Sequence, residues 1–452
     1  MKYCFLTSTF SFFLIMAFVG CVKGGYAPGD STVMLDFVND RYVSTSYPNP
    51  INGISNFVAA LGISFTRNST ATYYNSSGNI VTAAANVPRL DHNPFTGAAA
   101  GLLIEEQRTN LQFPSTYSLT GNTGGNGLIV ASSILAPDGT PAPELLDNAT
   151  NSRHFAPAYP QPIVANSTNT YSVFCKAGQL SQVLVYGGKS GAPFTRGGMI
   201  VDLTSGDYSN ADVNSPTAVT NRTVTPIANG WYRISMAVHI DATSTDGYLE
   251  VNTVSGGLST YSGTGTEGIY IWGAQVEQGA AVGSYIPTTT GTVTRSADTV
   301  TIPTGPWLST SHGTLYAQFI FPFITSNNEF IAELNDGTSN NRLSMYIDAS
   351  GNFQGETSLN GSTLFSQSEG SLAASQTNQT AISFQAGNFI SAVNGTGSIV
   401  NSLGSLPNIT QLVLGAEGAG TAYLNGWLQI IQYYDSNLSP SQIQQLSHTG
   451  LP

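Results

Sequence analysis

Carboxylates are the residues of this sequence that could act as an acid–base pair, and Glu105 and Glu106 form its one adjacent pair. Hydrolysis of a glycosidic bond needs two carboxyl groups about 5 Å apart, or about 6.5 to 9.5 Å apart when a water lies between them. Neighbouring strand residues point to opposite faces, so this pair does not fit that geometry. We expect one glutamate to pair with Arg108 or Arg89 and the other to be solvated. No catalytic residue is predicted.

The sequence lacks the usual motifs of a catalytic nucleophile and of a zinc site. The sequence has no Gly-x-Ser-x-Gly turn for a serine nucleophile. Cys175 stands alone in the body of the chain, because Cys4 and Cys21 lie in an apolar leader, so no internal disulfide is expected. We expect Cys175 to be a small buried strand residue. The histidines are scattered without the close spacing of a zinc site: His92, His154, His239, His312 and His448.

Two loop motifs are compatible with ligands but also have ordinary explanations. Residues 263–268 match G-x-G-x-x-G, yet they precede a strand, whereas a dinucleotide site follows a strand and opens a helix. We interpret them as a flexible hairpin loop. Asn335, Asp336 and Asn340 could ligate Ca²⁺, although these residue types are also common turn formers. Ca²⁺ therefore stays an alternative, and no cofactor is predicted.

Tryptophans are the natural candidates for stacking on sugars, because an aromatic face is a flat apolar platform. Trp231, Trp272 and Trp427 lie in strand contexts among apolar neighbours, which favours core packing. Trp307 follows Pro306 in a linker-like stretch and is expected to be exposed. Trp307 is therefore the carbohydrate-binding candidate that the sequence offers, while the other residues of such a site stay unknown.

The composition predicts an all-β protein and argues against nucleic acid as a partner. Charged residues make up 9% of the 452, hydrophobic residues make up 41%, and the mean hydropathy is zero. The scarce Lys and Glu are strong helix formers, whereas Thr, Tyr, Phe, Val and Ile suit strands. A formal net charge of −12 lacks the clustered Lys and Arg that neutralise phosphates.

The first 26 residues form an apolar leader with two open interpretations. A basic start, an apolar run over residues 12–19 and small residues near Gly20 are typical of a secretory signal. The segment before Cys21 also resembles a lipoprotein processing site, which makes Cys21 a candidate for lipidation. Alternatively, the leader stays attached and docks the protein onto a larger assembly. Its apolar run is too short to favour a transmembrane helix.

Turn residues and strand lengths divide the rest of the chain. Short strands broken by Asn, Gly and Pro predict an extended N-terminal attachment region over residues 27–111. Longer strands at hairpin spacing predict a jelly roll over residues 112–290. A stretch rich in Thr, Pro and Gly predicts a linker over residues 291–312. A second antiparallel β-sandwich is predicted over residues 313–452. The leader, residues 1–26, precedes these regions.

Several segments resemble the head-spike and tail-fibre proteins of tailed bacteriophages. The sequences FTRNSTATYY, AAANVPRLD and GLLIEEQRTNL carry the match, at residues 65–74, 83–91 and 101–111. Residues 229–233, 269–277 and 284–288 continue it. The resemblance implies a jelly roll like a carbohydrate-binding module in the middle of the chain. It also implies a concanavalin-A-like or laminin-G-like sandwich at the C-terminus.

The function that this resemblance implies is non-catalytic binding of host-surface glycan by a virion spike or fibre. Its expected partners are other virion proteins of capsid or tail, with the chain forming a homo-oligomer such as a trimer. The secretion-like leader leaves a second hypothesis open, a bacterial surface lipoprotein adhesin or secreted lectin. A glycan hydrolase is the third, against which the absence of the Glu-x-Asp-x-x-Glu pattern of lectin-fold glucanases argues.

Overall fold

A computed structural model describes residues 32–449 except 45–46, 118–124, 157–160, 190–195, 215–218, 242–245, 326 and 402–403. The fold is nearly all β, with antiparallel sheets that form two sandwiches, as predicted. We number the strands along the chain. Two α-helices are described, α1 (Ile54–Leu61) and α2 (Pro440–Thr449), and within the described residues no helix is long and apolar enough to cross a membrane.

The first sandwich, which we call the lectin-like sandwich, contains two large sheets. Sheet A runs in the spatial order β3 (Tyr47–Asn52), β2 (Arg41–Ser44), β1 (Val33–Asp36), β35 (Gly426–Tyr434), β26 (His312–Ile320), β31 (Asn378–Gln385), β32 (Asn388–Val393) and β33 (Thr396–Asn401). The hairpin of β7 (Leu90–His92) and β8 (Ala99–Ile104) joins it at β35. Sheet B runs β30 (Ser362–Ser371), β29 (Asn352–Leu359), β28 (Arg342–Ile347), β27 (Glu329–Asn335), β34 (Gln411–Leu414), β25 (Thr299–Pro303) and β4 (Ser64–Thr66).

Alternation along the strands builds the core between sheets A and B. Leu343, Met345 and Ile347 of β28 are buried in the same hydrophobic cluster as Leu315 and Phe319 of β26. The residues between them point to the other face of sheet B, as the two-residue period of a strand requires. On the outer face of sheet A, α2 packs its apolar side onto a second, smaller cluster.

The second sandwich, the jelly roll, lies in the middle of the chain. One sheet runs β10 (Leu128–Val130), β11 (Glu144–Leu146), β23 (Gly268–Gln278), β15 (Ser167–Ala177), β20 (Trp231–Ile240) and β19 (Val219–Ile227). The other runs β13 (Phe155–Ala156), β21 (Asp246–Val254), β16 (Gln182–Lys189), β17 (Arg196–Asp202) and β18 (Tyr208–Asn210), with β14 (Gln161–Pro162) also beside β21. A separate apolar cluster fills the space between these sheets.

Three two-stranded ribbons complete the described strands. They are β5 (Ala71–Tyr74) with β6 (Ile80–Ala83), β12 (Asn151–Arg153) with β22 (Thr260–Ser262), and β9 (Arg108–Asn110) with β24 (Val293–Arg295). The ribbon of β9 and β24 joins the segment that enters the jelly roll to the segment that leaves it. The two chain crossings are therefore hydrogen-bonded to each other.

The N-terminal segment has a different place from the separate attachment region expected over residues 27–111. β1 pairs with β35, and β4 pairs with β25, so residues 33–66 complete both sheets of the lectin-like sandwich. Residues 291–312, expected to be a linker, contribute β24 and β25 to the sheets. The jelly roll is thus inserted into a sandwich built from both ends of the chain. Sequence patterns reveal strands but not pairing between strands so far apart.

Candidate functional site

A buried network of charges lies where the two sandwiches join. We call it the hub, and it consists of Arg67, Arg89, Glu105, Arg295 and Asp298. Arg67 Nη1 donates to Asp298 Oδ1 at 2.9 Å, and Arg89 Nη1 donates to Glu105 Oε2 at 2.6 Å. Arg89 also contacts Asp298, and Arg295 Nη2 lies 3.4 Å from Glu105 Oε1. The predicted pairing of a glutamate with Arg89 is confirmed.

The hub keeps Glu105 ionised inside the protein. Burial alone would raise its pKa, but Arg295, Arg89 and hydrogen bonds from Ser284 together lower the pKa to about 2. Residues 65–74, 83–91, 101–111 and 284–288, which carry the sequence resemblance, all supply a hub residue or a direct hydrogen-bond partner. These segments are therefore bound together as the joint between the sandwiches, and their hub residues Arg67, Arg89 and Glu105 face inward.

A groove of about 780 Å³ opens beside the hub, between the jelly roll and the lectin-like sandwich. Six segments contribute lining residues: 106–109 with 111, 162–164, 167–168 and 278–280 on the jelly-roll side and joint, and 325 with 327–329 and 421–423 with 425 in loops of the lectin-like sandwich. Loops that connect rigid sheets are common positions for binding residues. The groove is the candidate functional site.

The two walls of the groove differ in chemistry. Pro162 and Val164 give the jelly-roll wall an exposed apolar patch, with Val164 49% exposed, beside the polar side chains of Ser167, Thr168 and Gln278. The opposite wall carries amides, hydroxyls and one ring: Thr325, Asn327, Asn328, Thr421, Tyr423 and Asn425. Asn327 and Asn328 are exposed, so their amides are accessible from the groove. The groove can therefore receive a ligand that is apolar on one side and rich in hydrogen-bonding groups on the other.

Glu329 is a buried acid on the wall of this groove. It begins β27, its residue is 2% exposed, and its Oε2 has no hydrogen-bond partner. Burial raises the pKa of Glu329, hydrogen bonds with Thr325 lower it in part, and the nearby Glu106 carboxylate raises it, so that the pKa lies at about 8. The side chain is therefore mostly protonated at neutral pH and can donate a hydrogen bond as a carboxylic acid.

Glu106 faces the groove, on the other side of the chain from Glu105. Its carboxylate contacts the Arg108 guanidinium, and its backbone N–H donates to Asn425 Oδ1 at 2.9 Å. Both glutamates of the adjacent pair thus have an arginine partner, where one was expected to be only solvated. The Arg108 guanidinium packs against Gly279 so closely that a Cβ there would collide with it. Glu106 and Arg108 are therefore held in place by Asn425 of the lectin-like sandwich and by Gly279 of the jelly roll.

The expected exposure of Trp307 is wrong. Its residue is 4% exposed, and its ring packs edge-on against Tyr433 with 5.6 Å between centroids. Pro306 and the surrounding turn residues suggested a free linker, but this stretch folds back onto the sandwich core. Core packing is confirmed for Trp231 and Trp272, while Trp427 is half-buried. None of the tryptophans lines the groove.

The other predicted ligand positions are occupied by internal hydrogen bonds. Asp336 Oδ1 accepts from the backbone and hydroxyl of Thr338, and its Oδ2 accepts from Asn341 at 2.7 Å, so these oxygens take part in a turn network. Within the described part of the chain, no group of three His, Cys, Asp or Glu side chains is placed to hold a metal. The glycine-rich loop at 263–268 precedes β23, and its backbone donates to Asp147.

The cysteine predictions have different outcomes. Cys175 is buried in the jelly-roll core, as expected, and burial raises the pKa of its thiol. Cys21 lies outside the described residues, so its lipidation stays a prediction.

One sheet face of the jelly roll carries a second group of aromatic and charged residues. The Arg196 guanidinium lies 4.1 Å from the centre of the Tyr248 ring, and that of Arg153 lies 5.7 Å from the Tyr186 ring. Arg153 also contacts Glu250. These contacts engage the two guanidinium groups, while the Tyr248 hydroxyl has no hydrogen-bond partner, so this face is the alternative position for a ligand.

Sequence reasoning missed the groove residues because they come from distant parts of the chain. Glu329, Tyr423 and Asn425 belong to the lectin-like sandwich, and Glu106 belongs to the segment that enters the jelly roll. The available signal was an acid at the start of an apolar strand, Glu329 before Phe330 and Ile331. A buried acid without a charged partner is uncommon and points to function.

Comparisons with known proteins give no family. No protein-family model and no curated protein matches the chain. Among solved structures, it is similar to the CBM40 of the Ruminococcus gnavus IT-sialidase bound to α2,3-sialyllactose, at 14% identity and a TM-score of 0.27, covering 31% of this chain and 84% of that one. It is also similar to a heptameric SAP-like pentraxin from Limulus polyphemus, at 15% identity and a TM-score of 0.24, covering 31% of this chain and 71% of that one.

A Trypanosoma rangeli sialidase in complex with 2,3-difluorosialic acid matches a longer stretch, 72% of this chain and 63% of that one, at 12% identity and a TM-score of 0.28. TM-scores this low define neither a shared topology nor a shared site. None of these matches bears on the resemblance to phage proteins, which stays a prediction.

Proposed function

We propose that this protein binds glycans, in the groove between the jelly roll and the lectin-like sandwich. The observation that carries the proposal is the buried acid Glu329, whose Oε2 has no partner, on the wall of an open groove with one apolar and one polar side. A buried polar atom without a partner costs about 1–3 kcal/mol, so a ligand that hydrogen-bonds to it recovers this free energy.

A sugar ring matches the two walls. Its C–H face would lie against Val164 and the neighbouring apolar side chains, and its hydroxyls would meet the amides of Asn327 and Asn328. Binding sites for small ligands combine an apolar lining with a few placed polar groups in this way. Two packed sandwiches hold the walls, so we expect the groove to be preformed.

The test is a glycan array with the full chain and two matched tyrosine variants. Tyr423→Ala changes the groove, and Tyr208→Ala changes a tyrosine that is 47% exposed on the jelly roll and does not line the groove. We expect Tyr423→Ala to lower affinity at least tenfold and Tyr208→Ala to leave it unchanged. Equal affinity of both variants and the unchanged protein for a bound glycan would place binding elsewhere.

The biological setting that we propose is the surface of a phage virion, where the chain acts as a non-catalytic, homo-oligomeric spike or fibre. The support is the sequence resemblance at residues 65–74, 83–91 and 101–111. Mass spectrometry of purified particles from a host that carries the gene tests it, and absence of the chain from all particles contradicts it. Lipid on Cys21, measured by intact mass after membrane extraction, would favour a surface adhesin.

A further inference from the structure

The charges around the groove indicate which class of glycan it accepts. Among the described residues that line it, Arg108 is the one cation, and Glu106 and Glu329 are the acids. The Arg108 side chain is 13% exposed, contacts Glu106, and packs on Gly279. Its charge is therefore committed to the protein. No other lining residue can neutralise an anionic group brought in by a ligand.

We infer that the groove selects neutral glycans over acidic ones, with Glu329 as the specificity-determining residue that donates its carboxylic O–H to a sugar oxygen. This inference rests on the proposed function and adds the ligand class. A sugar carboxylate or sulfate would enter beside the Glu106 carboxylate without a free cation to neutralise it, and would lose its hydration in the groove. A hydroxyl brings no charge and can accept from Glu329.

The same arrangement makes binding depend on pH. Burial, reinforced by Glu106, keeps Glu329 protonated up to about pH 8. The charged and titratable groups that line the groove with it are Glu106 from the segment after β8, Arg108 from β9 and Tyr423 from the loop before β35. Burial raises the pKa of Tyr423, so this tyrosine stays neutral at pH 9. Above pH 8, Glu329 loses its donor and adds a negative charge.

Calorimetric titration of the full chain with matched oligosaccharides tests the inference. The probes are lacto-N-neotetraose, its sialylated form, a hexamer of α1,4-linked galactose and hexagalacturonate, each at pH 6 and pH 9. We expect a neutral probe to bind at least tenfold more tightly than its acidic counterpart at pH 6, and to lose about tenfold between pH 6 and pH 9.

Two variants assign the pH effect. Glu329→Gln keeps an N–H donor at every pH, so it should bind the neutral probe equally at pH 6 and pH 9. Glu267→Gln, outside the groove lining, should behave like the unchanged protein. Circular dichroism of each variant confirms that it is folded.

The outcomes separate the inference from the proposed function. Equal or tighter binding of the acidic probes contradicts the inference and leaves glycan binding in place. A pH dependence that persists in Glu329→Gln removes Glu329 from its role. If none of the four probes binds at either pH and the glycan array is also silent, both the inference and the proposed function are wrong.

Discussion

The hub and the groove lie on opposite sides of the chain at two consecutive glutamates. Glu105 turns into the hub, where two arginines and Ser284 surround it and hold its pKa at about 2. Glu106 turns toward the groove, where it shares the wall with Glu329, whose pKa burial raises to about 8. In the hub every carboxylate has a cation, whereas in the groove one buried acid has none.

This difference separates charges that build the fold from a group that is available to a ligand. Buried ion pairs contribute little net stability, but removing one partner is costly because the other charge stays buried. Hub residues should therefore affect folding and leave glycan affinity unchanged. Groove residues should affect affinity and pH dependence with small costs to folding.

Replacing the two adjacent glutamates gives the largest expected contrast. Glu105→Gln leaves Arg89 and Arg295 buried with less countercharge, so we expect a loss of about 3–5 kcal/mol in the free energy of unfolding. Glu106→Gln removes a partly exposed pair and should cost below about 1 kcal/mol. Urea unfolding followed by circular dichroism measures both, and equal losses would erase the contrast.

Trp307 distinguishes a core residue from a ligand platform. Trp307→Ala removes a buried ring that packs on Tyr433, and we expect it to lower the free energy of unfolding by about 3 kcal/mol. Glycan affinity of the folded variant should be unchanged, because Trp307 does not line the groove. Loss of affinity without loss of stability would restore Trp307 as a binding residue.

Glu329 gives the stability a dependence on pH that Glu329→Gln removes. The folded protein holds this proton up to about pH 8, whereas an unfolded glutamate releases it near pH 4.3. The folded state therefore binds the extra proton between these values, and the stability contribution falls as pH rises from about 4.3 to about 8. We expect Glu329→Gln to gain about 2 kcal/mol relative to the unchanged protein between pH 5 and pH 6.5. Urea titrations of both proteins at each pH measure this difference. If the free energy of unfolding changed with pH by the same amount in both proteins, Glu329 would be ionised in the folded state.

A substitution at Gly279 tests the packing of the Arg108 guanidinium and should have a small effect on the free energy of unfolding. Gly279 has a φ of 121°, and a Cβ there would collide with the Arg108 guanidinium. Gly279→Ala should lower the free energy of unfolding by about 1–2 kcal/mol and weaken glycan binding as Arg108 moves from Glu106. Gly139→Ala is the control, because its φ is also positive, at 83°, and its Cβ would meet no atom within 4 Å. Identical thermal unfolding of both variants would show that the contact is easily relieved.

Local patterns were enough to predict the all-β class, the two sandwiches and the pairing of one glutamate of the adjacent pair with Arg108 or Arg89. They could not predict that β1 pairs with β35 or β4 with β25, because strand periodicity does not specify partners across an inserted domain. The groove was hidden for the same reason. Trp307 was misplaced because its burial depends on Tyr433, a residue from the far end of the chain.

The most direct test of the central claim is a crystal structure of the full chain with a neutral oligosaccharide that binds in the array. The predicted result is sugar density in the groove, with a ring oxygen or hydroxyl within hydrogen-bond distance of Glu329 Oε2 and the ring against Val164. Density on the jelly-roll face around Tyr186 and Tyr248, with the groove empty, would contradict the claim.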